Sequence, residues 1–139
     1  MTVVIDANVL AVLALDRRRG AAVERLLRQW RSASEELHAP ALMPYEVANA
    51  FARAVAAGQL AAEDVPRAWS LVGAIPVVLH QLEDGPAAVE LAGQLDRQTA
   101  YDASYLLLAR QLGVELWTLD GPLARNSQAR GFAVNLIEA

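Results

Sequence analysis

The chain opens on a short β-branched run, Thr2–Ile5, broken at once by Asp6-Ala7-Asn8, which reads as a buried strand with a polar exit. Helical spacing then takes over. Val9, Leu10, Leu13 and Ala14 share one face, and Ala22, Val23, Leu26, Leu27 and Trp30 share another. Arg17-Arg18-Arg19-Gly20 reads as the break between these two helices. Leu37–Ala39 predicts a second strand. Pro44 marks the start of a helix running through Val47, Phe51 and Val55 to Gly58, because a proline at the first helical position forfeits no hydrogen bond. Ala61–Val72 predicts the next helix, Pro76–Leu79 a third strand, and Pro86–Leu95 and Asp102–Leu112 two further helices, the last ended by Gly113. Glu115–Leu119, Pro122–Arg130 and Ala133–Ile137 read as strand, helix and strand. Strands alternating with one or two helices predict an α/β fold, a parallel sheet covered on both faces.

The 139 residues suit one domain spanning 1–139, and the 55% hydrophobic content excludes a disordered chain. The N-terminal apolar run has no cation ahead of it and is interrupted by Asp6 and Asn8, so it does not read as a signal peptide. No apolar stretch reaches the ~20 residues of a membrane span. The expectation is a soluble, cytoplasmic protein with no membrane contact. A net charge of −4 rules out a global positive field that would advertise a nucleic-acid partner, though not a local patch.

Absences narrow the chemistry. With no cysteine there is no disulfide, thiolate metal site or Cys nucleophile. All 12 basic residues are arginines, which removes Schiff-base chemistry and the Walker A lysine. Glycine-rich nucleotide fingerprints and the G-x-S-x-G elbow are missing. His38 and His80 are not spaced as a metal pair, and Ser104 and Ser127 have no base nearby in sequence. Trp30, Trp69 and Trp117 fall on apolar positions and read as core.

Carboxylates survive this elimination. Asp6 and Asp120 each follow a strand directly, while Glu46 and Asp102 lie in the first turns of their helices. In an open parallel sheet, ligands bind beyond the carboxyl ends of the strands, where all four residues fall. Gathered together they would repel one another unless a cation neutralised them, and oxygen donors without Cys or His favour Mg²⁺ or Mn²⁺. The ordinary alternative is helix capping, above all for Glu46 and Asp102. Asn8 reads either as a cap of the first helix or as an amide steadying a metal-binding acid, and Thr118 either as a plain strand residue or as a ligand-side hydroxyl. The Arg17–Arg19 run reads as a solvated turn, with a phosphate contact as the alternative.

Four blocks in this order, Val4-Ile5-Asp6-Ala7-Asn8-Val9-Leu10, Pro44-Tyr45-Glu46-Val47-Ala48-Asn49-Ala50, Tyr101-Asp102-Ala103-Ser104-Tyr105-Leu106 and Trp117-Thr118-Leu119-Asp120, resemble the PIN-domain family over essentially the whole chain. Within it they are similar to the VapC-type toxins of toxin–antitoxin modules. The resemblance implies a three-layer α/β/α sandwich with a mostly parallel sheet and a Mg²⁺- or Mn²⁺-dependent endoribonuclease. It implies an acidic site of Asp6, Glu46, Asp102 and Asp120, all four as metal ligands, with Asn8 and Thr118 in support. It further implies a homodimer, an RNA substrate and a cognate VapB-like antitoxin. Two positions depart from the family pattern: Leu123 stands where an aromatic is frequent, and Gly121-Pro122 where some relatives carry a further acid. Two rivals remain. A dehalogenase-like phosphatase needs a second acid where Asn8 stands and a lysine this chain lacks; the other is a non-catalytic PIN-like module that binds RNA or a partner.

Overall fold

The computed structural model describes residues 1–138. Its elements are β1 (Thr2–Ile5), α1 (Ala7–Leu15), α2 (Arg17–Ser32), β2 (Glu36–Pro40), α3 (Met43–Ala56), α4 (Val65–Gly73), β3 (Val78–His80), α5 (Gly85–Gln94), α6 (Tyr101–Leu112), β4 (Leu116–Thr118), α7 (Gly121–Ala129) and β5 (Val134–Leu136). The five strands form one all-parallel sheet in the order β3-β2-β1-β4-β5. On one side α1 packs against α2, α3 and α4; on the other, α6 lies on β1, β2 and β4 with α5 against it. This is the expected α/β sandwich.

Strand β1 is central, so both of its faces are covered, and Val4 and Ile5 are fully buried. The order reverses between β1 and β4: from β1 the chain moves outward through β2 and β3, then returns to the far side of β1. Such a switch point leaves a crevice at the carboxyl ends of the two strands, because the connecting helices diverge to opposite faces. Among the described residues, no helix is long and apolar enough to cross a membrane.

Several sequence expectations need correction. Arg17–Gly20 is not a loop: it is the first turn of α2, and the break is Asp16 alone, whose side chain accepts from the Arg19 N–H at 3.0 Å. The cap supplies an acceptor for an otherwise orphan donor, and that starts the helix early. Gly20 has a different task. A Cβ there would stand 2.8 Å from the Val12 carbonyl oxygen, so only glycine lets α2 approach α1 so closely. The segment Ala61–Val72 is a 3-10 turn, Ala62–Asp64, followed by α4, because Pro66 suits a first helical turn and not an interior. Strand β3 starts two residues later than expected. Trp69 is not core: it is 45% exposed, with its ring edge-to-face with Phe51 at a centroid distance of 6.3 Å. Trp30 is buried, edge-to-face with Trp117. His38 and His80 contact each other, nitrogen to nitrogen at 2.7 Å across β2 and β3.

Candidate active site

Asp6 leaves β1 in extended conformation and becomes the residue before α1. Its backbone N–H donates to the Trp117 carbonyl at 3.0 Å, which ties the exit of β1 to β4. Asp120 stands in the same way between β4 and α7. Glu46 enters from the first turn of α3 and Asp102 from the first turn of α6. The four acids thus come from four elements that meet at the switch point.

A polar network fixes the β1 and β4 exits together. The buried Thr118 hydroxyl donates to Asp6 Oδ2 at 2.8 Å and accepts from the Asp120 N–H at 3.0 Å. The Asn8 amide donates to Asp6 Oδ2 and to Thr118 Oγ1, both at 3.3 Å, while its Oδ1 accepts from the Leu119 N–H at 3.1 Å. Because the Leu119 N–H can only donate, the orientation of the amide is determined. Asn8 therefore does not cap α1, and Thr118 is not a plain strand residue: both brace Asp6.

Capping falls elsewhere than the sequence suggested. Glu46 and Asp102 make no side-chain cap, whereas Asp120 Oδ1 accepts from the Leu123 N–H at 3.0 Å. Glu46 Oε1 instead accepts from the Tyr105 hydroxyl at 2.6 Å. Asp102 Oδ2 lies 3.8 Å from the Arg97 guanidinium. Tyr105 and Arg97 were not among the expected site residues. Tyr105 sits three residues after Asp102 and so on the same helical face, a spacing that could have flagged it. Nothing local marked Arg97. Arg19 reaches in from α2 to donate to the Leu119 carbonyl at 3.1 Å, beside Asp120.

The electrostatics connect the acids in series. Burial pushes the Asp6 carboxyl up to about 7; the charges of Glu46 and Asp102 add to this, and the Thr118 hydrogen bond offsets part. Glu46 is raised by burial and by Asp102, against the pull of Tyr105 and Arg53. Asp102 is raised by burial and by Asp120, against Arg97. Each acid therefore ionises more easily if a cation joins the cluster.

The donor set fits a hard divalent ion: acceptor oxygens only, with a buried aspartate that is costly to charge alone. Among the described residues, no group of three or more His, Cys, Asp or Glu side chains is arranged so as to hold a metal ion by itself.

A groove of about 940 Å³ is lined by Tyr45, Trp69, Leu79, Leu82, Tyr101 and neighbours, with none of the four acids in its lining. Tyr45 and Tyr101 are 75% and 59% exposed, and each immediately precedes one of the acids, Glu46 or Asp102.

Known proteins resemble this chain in sequence and fold. Residues 3–128 match the family model described as PIN domain. Ribonuclease VapC3 from Pyrobaculum aerophilum is 32% identical over 135 residues, which covers 93% of this chain and 97% of that protein. The crystal structure of PAE2754 from Pyrobaculum aerophilum superposes with a TM-score of 0.71 over 96% of this chain and 83% of that one; at 22% identity the likeness is one of fold. A match to the family over nearly its whole length, on an all-parallel sheet with acids at its switch point, places this chain in the PIN domain family.

Proposed function

We propose that this protein is a Mg²⁺- or Mn²⁺-dependent endoribonuclease and the toxin of a toxin–antitoxin pair. The observation that carries the reading is the meeting of Asp6, Glu46, Asp102 and Asp120 at the β1–β4 crevice, where burial, and after it the charge of neighbouring acids, raises Asp6, Glu46 and Asp102. The similarity to Ribonuclease VapC3 supports RNA as the substrate.

Asp6, Asp102 and Asp120 are the residues that would hold the ion, with Glu46 completing the set. Bound there, a divalent cation supplies Lewis acidity and lowers the pKa of water. The chain's own contribution is positioning. Thr118 and Asn8 hold Asp6 in one rotamer, so the acid does not reorganise when substrate arrives. The α7 cap orients Asp120 through one oxygen. Glu46, with one oxygen taken by Tyr105, orients a water for in-line attack on phosphorus, which breaks the bond to the 3′ oxygen and leaves 5′-phosphate and 3′-hydroxyl ends.

We further infer a homodimer and a VapB-like antitoxin partner in the cytoplasm. Two observations support partners. The groove leaves Tyr45, Trp69, Leu82 and Tyr101 exposed side by side, and Ala48, Ala52 and Ala56 leave a smooth exposed face on α3.

The direct test is cleavage of single-stranded RNA by the purified chain in Mg²⁺, in Mn²⁺ and in chelator, alongside Asp6→Asn. Expected are metal-dependent products with 5′-phosphates, and a loss of at least about 100-fold in rate for the variant. Cleavage that survives the chelator, or an Asp6→Asn protein of undiminished rate, would overturn the reading.

A further inference from the structure

We propose that Tyr105 is a positioning residue for the acidic site: its hydroxyl holds Glu46 by one oxygen and so dictates how that carboxylate faces the cluster. The inference rests on the nuclease reading above and assigns a role to a residue outside the acidic set.

The tyrosine is 1% exposed, yet its hydroxyl lies 2.6 Å from Glu46 Oε1, joining α6 to α3 across 59 positions of sequence. A hydroxyl is an expensive way to fill a core, since burying it without a partner carries a desolvation cost that phenylalanine would not incur. Here the partner is a carboxylate, the acceptor that gives the stronger class of hydrogen bond. Tyr105 also feels the charge of Asp6, and it follows Asp102 by three residues on α6. The phenol therefore donates to Glu46, with Asp6 near enough to act on it by charge.

With Oε1 engaged by the phenol, Oε2 is the oxygen with which Glu46 takes part in the site. Without the hydroxyl, the half-buried carboxylate would be free to turn about its terminal torsion, where the barriers are low.

Four proteins test this: wild type, Tyr105→Phe, Glu46→Gln and the double variant, each titrated with Mn²⁺ and assayed on RNA. Tyr105→Phe should weaken Mn²⁺ binding by about tenfold and lower kcat by about 10- to 100-fold with KM little changed, as loss of a residue that orients a metal ligand does. The double variant should be no worse than Glu46→Gln, because the phenol acts only through that carboxylate. Tyr105→Phe with wild-type Mn²⁺ affinity and kcat, or losses that add to those of Glu46→Gln, would overturn the role. Wild-type protein that binds no Mn²⁺ would overturn the metal-nuclease reading itself, and this inference with it. A measurement independent of the Phe variant is the Tyr105 hydroxyl proton in NMR spectra. It should be slowly exchanging and shifted downfield in the wild type and move upfield in Glu46→Gln, whose neutral amide oxygen accepts more weakly than a carboxylate; a signal unmoved by that change sinks the proposal.

Discussion

Asp6 shows most clearly what a single position is asked to do. It ends a buried strand, is only 9% exposed, and has its carboxyl pushed up to about 7 from an ordinary 3.8. With the folded-state value above the unfolded one, the folded chain binds the proton more tightly. That stabilisation is complete below about pH 4 and is lost as pH rises through about 7. Glu46 and Asp102 are raised in the same direction and act with the same sign. The melting temperature of the protein in chelator should therefore fall between about pH 5 and pH 8. Asp6→Asn should flatten the fall and add about 1–3 kcal/mol of stability at the upper end. Thermal melts across a pH series decide this, and a wild-type profile that stays level or climbs over that interval contradicts it.

Among the elements, the pair α1 and α2 carries the sharpest demand. The helices are joined through Asp16, which caps the second, and Gly20 lets them approach until a Cβ would meet the Val12 oxygen at 2.8 Å. The obstacle is backbone, so it cannot swing aside. Gly20→Ala should cost about 1–3 kcal/mol through forced separation of the helices. Gly93, inside α5, has nothing within 4 Å of where its Cβ would be. Its replacement by alanine should be stabilising, by up to about 1 kcal/mol, through helix propensity alone. Chemical denaturation of the two variants makes the comparison; equal effects of one sign would mean that propensity and not close approach governs position 20.

At the scale of the whole molecule, a net charge of −4 has to be reconciled with the polyanionic substrate proposed above. The four acids make the crevice more negative still, and the arginines nearest it are partly committed: Arg19 to the Leu119 carbonyl, Arg97 to Asp102. A cation in the site is then what changes the local sign. Binding of an RNA that cannot be cleaved should be markedly tighter in Mg²⁺ than in EDTA at matched ionic strength, and should weaken steeply with added monovalent salt. Equal affinity with and without the divalent ion would mean that the acids do not bridge protein and phosphate.

Much of this was legible along the chain because it is local. A β-branched run that stops at an aspartate predicted the exits of β1 and β4, and Pro44 predicted the start of α3 and hence the first-turn place of Glu46. These features depend on neighbours within a few residues, where propensity and periodicity act. Alternation of strands and helices predicted the parallel sheet for the same reason. What was not legible needed residues far apart to meet. Whether an acid caps a helix or faces a ligand turned on contacts such as Tyr105 with Glu46 and Thr118 with Asp6, which are 59 and 112 positions apart. The exposure of Trp69 and the helical start at Arg17 went the same way, since apolar spacing does not say whether a neighbour will arrive to cover a side chain. The sequence determined the elements and the acids they carry. Packing around β1 decided which of those acids share one crevice, and which oxygen of each is left to act, because burial and hydrogen-bond geometry exist only once the chain has closed on itself.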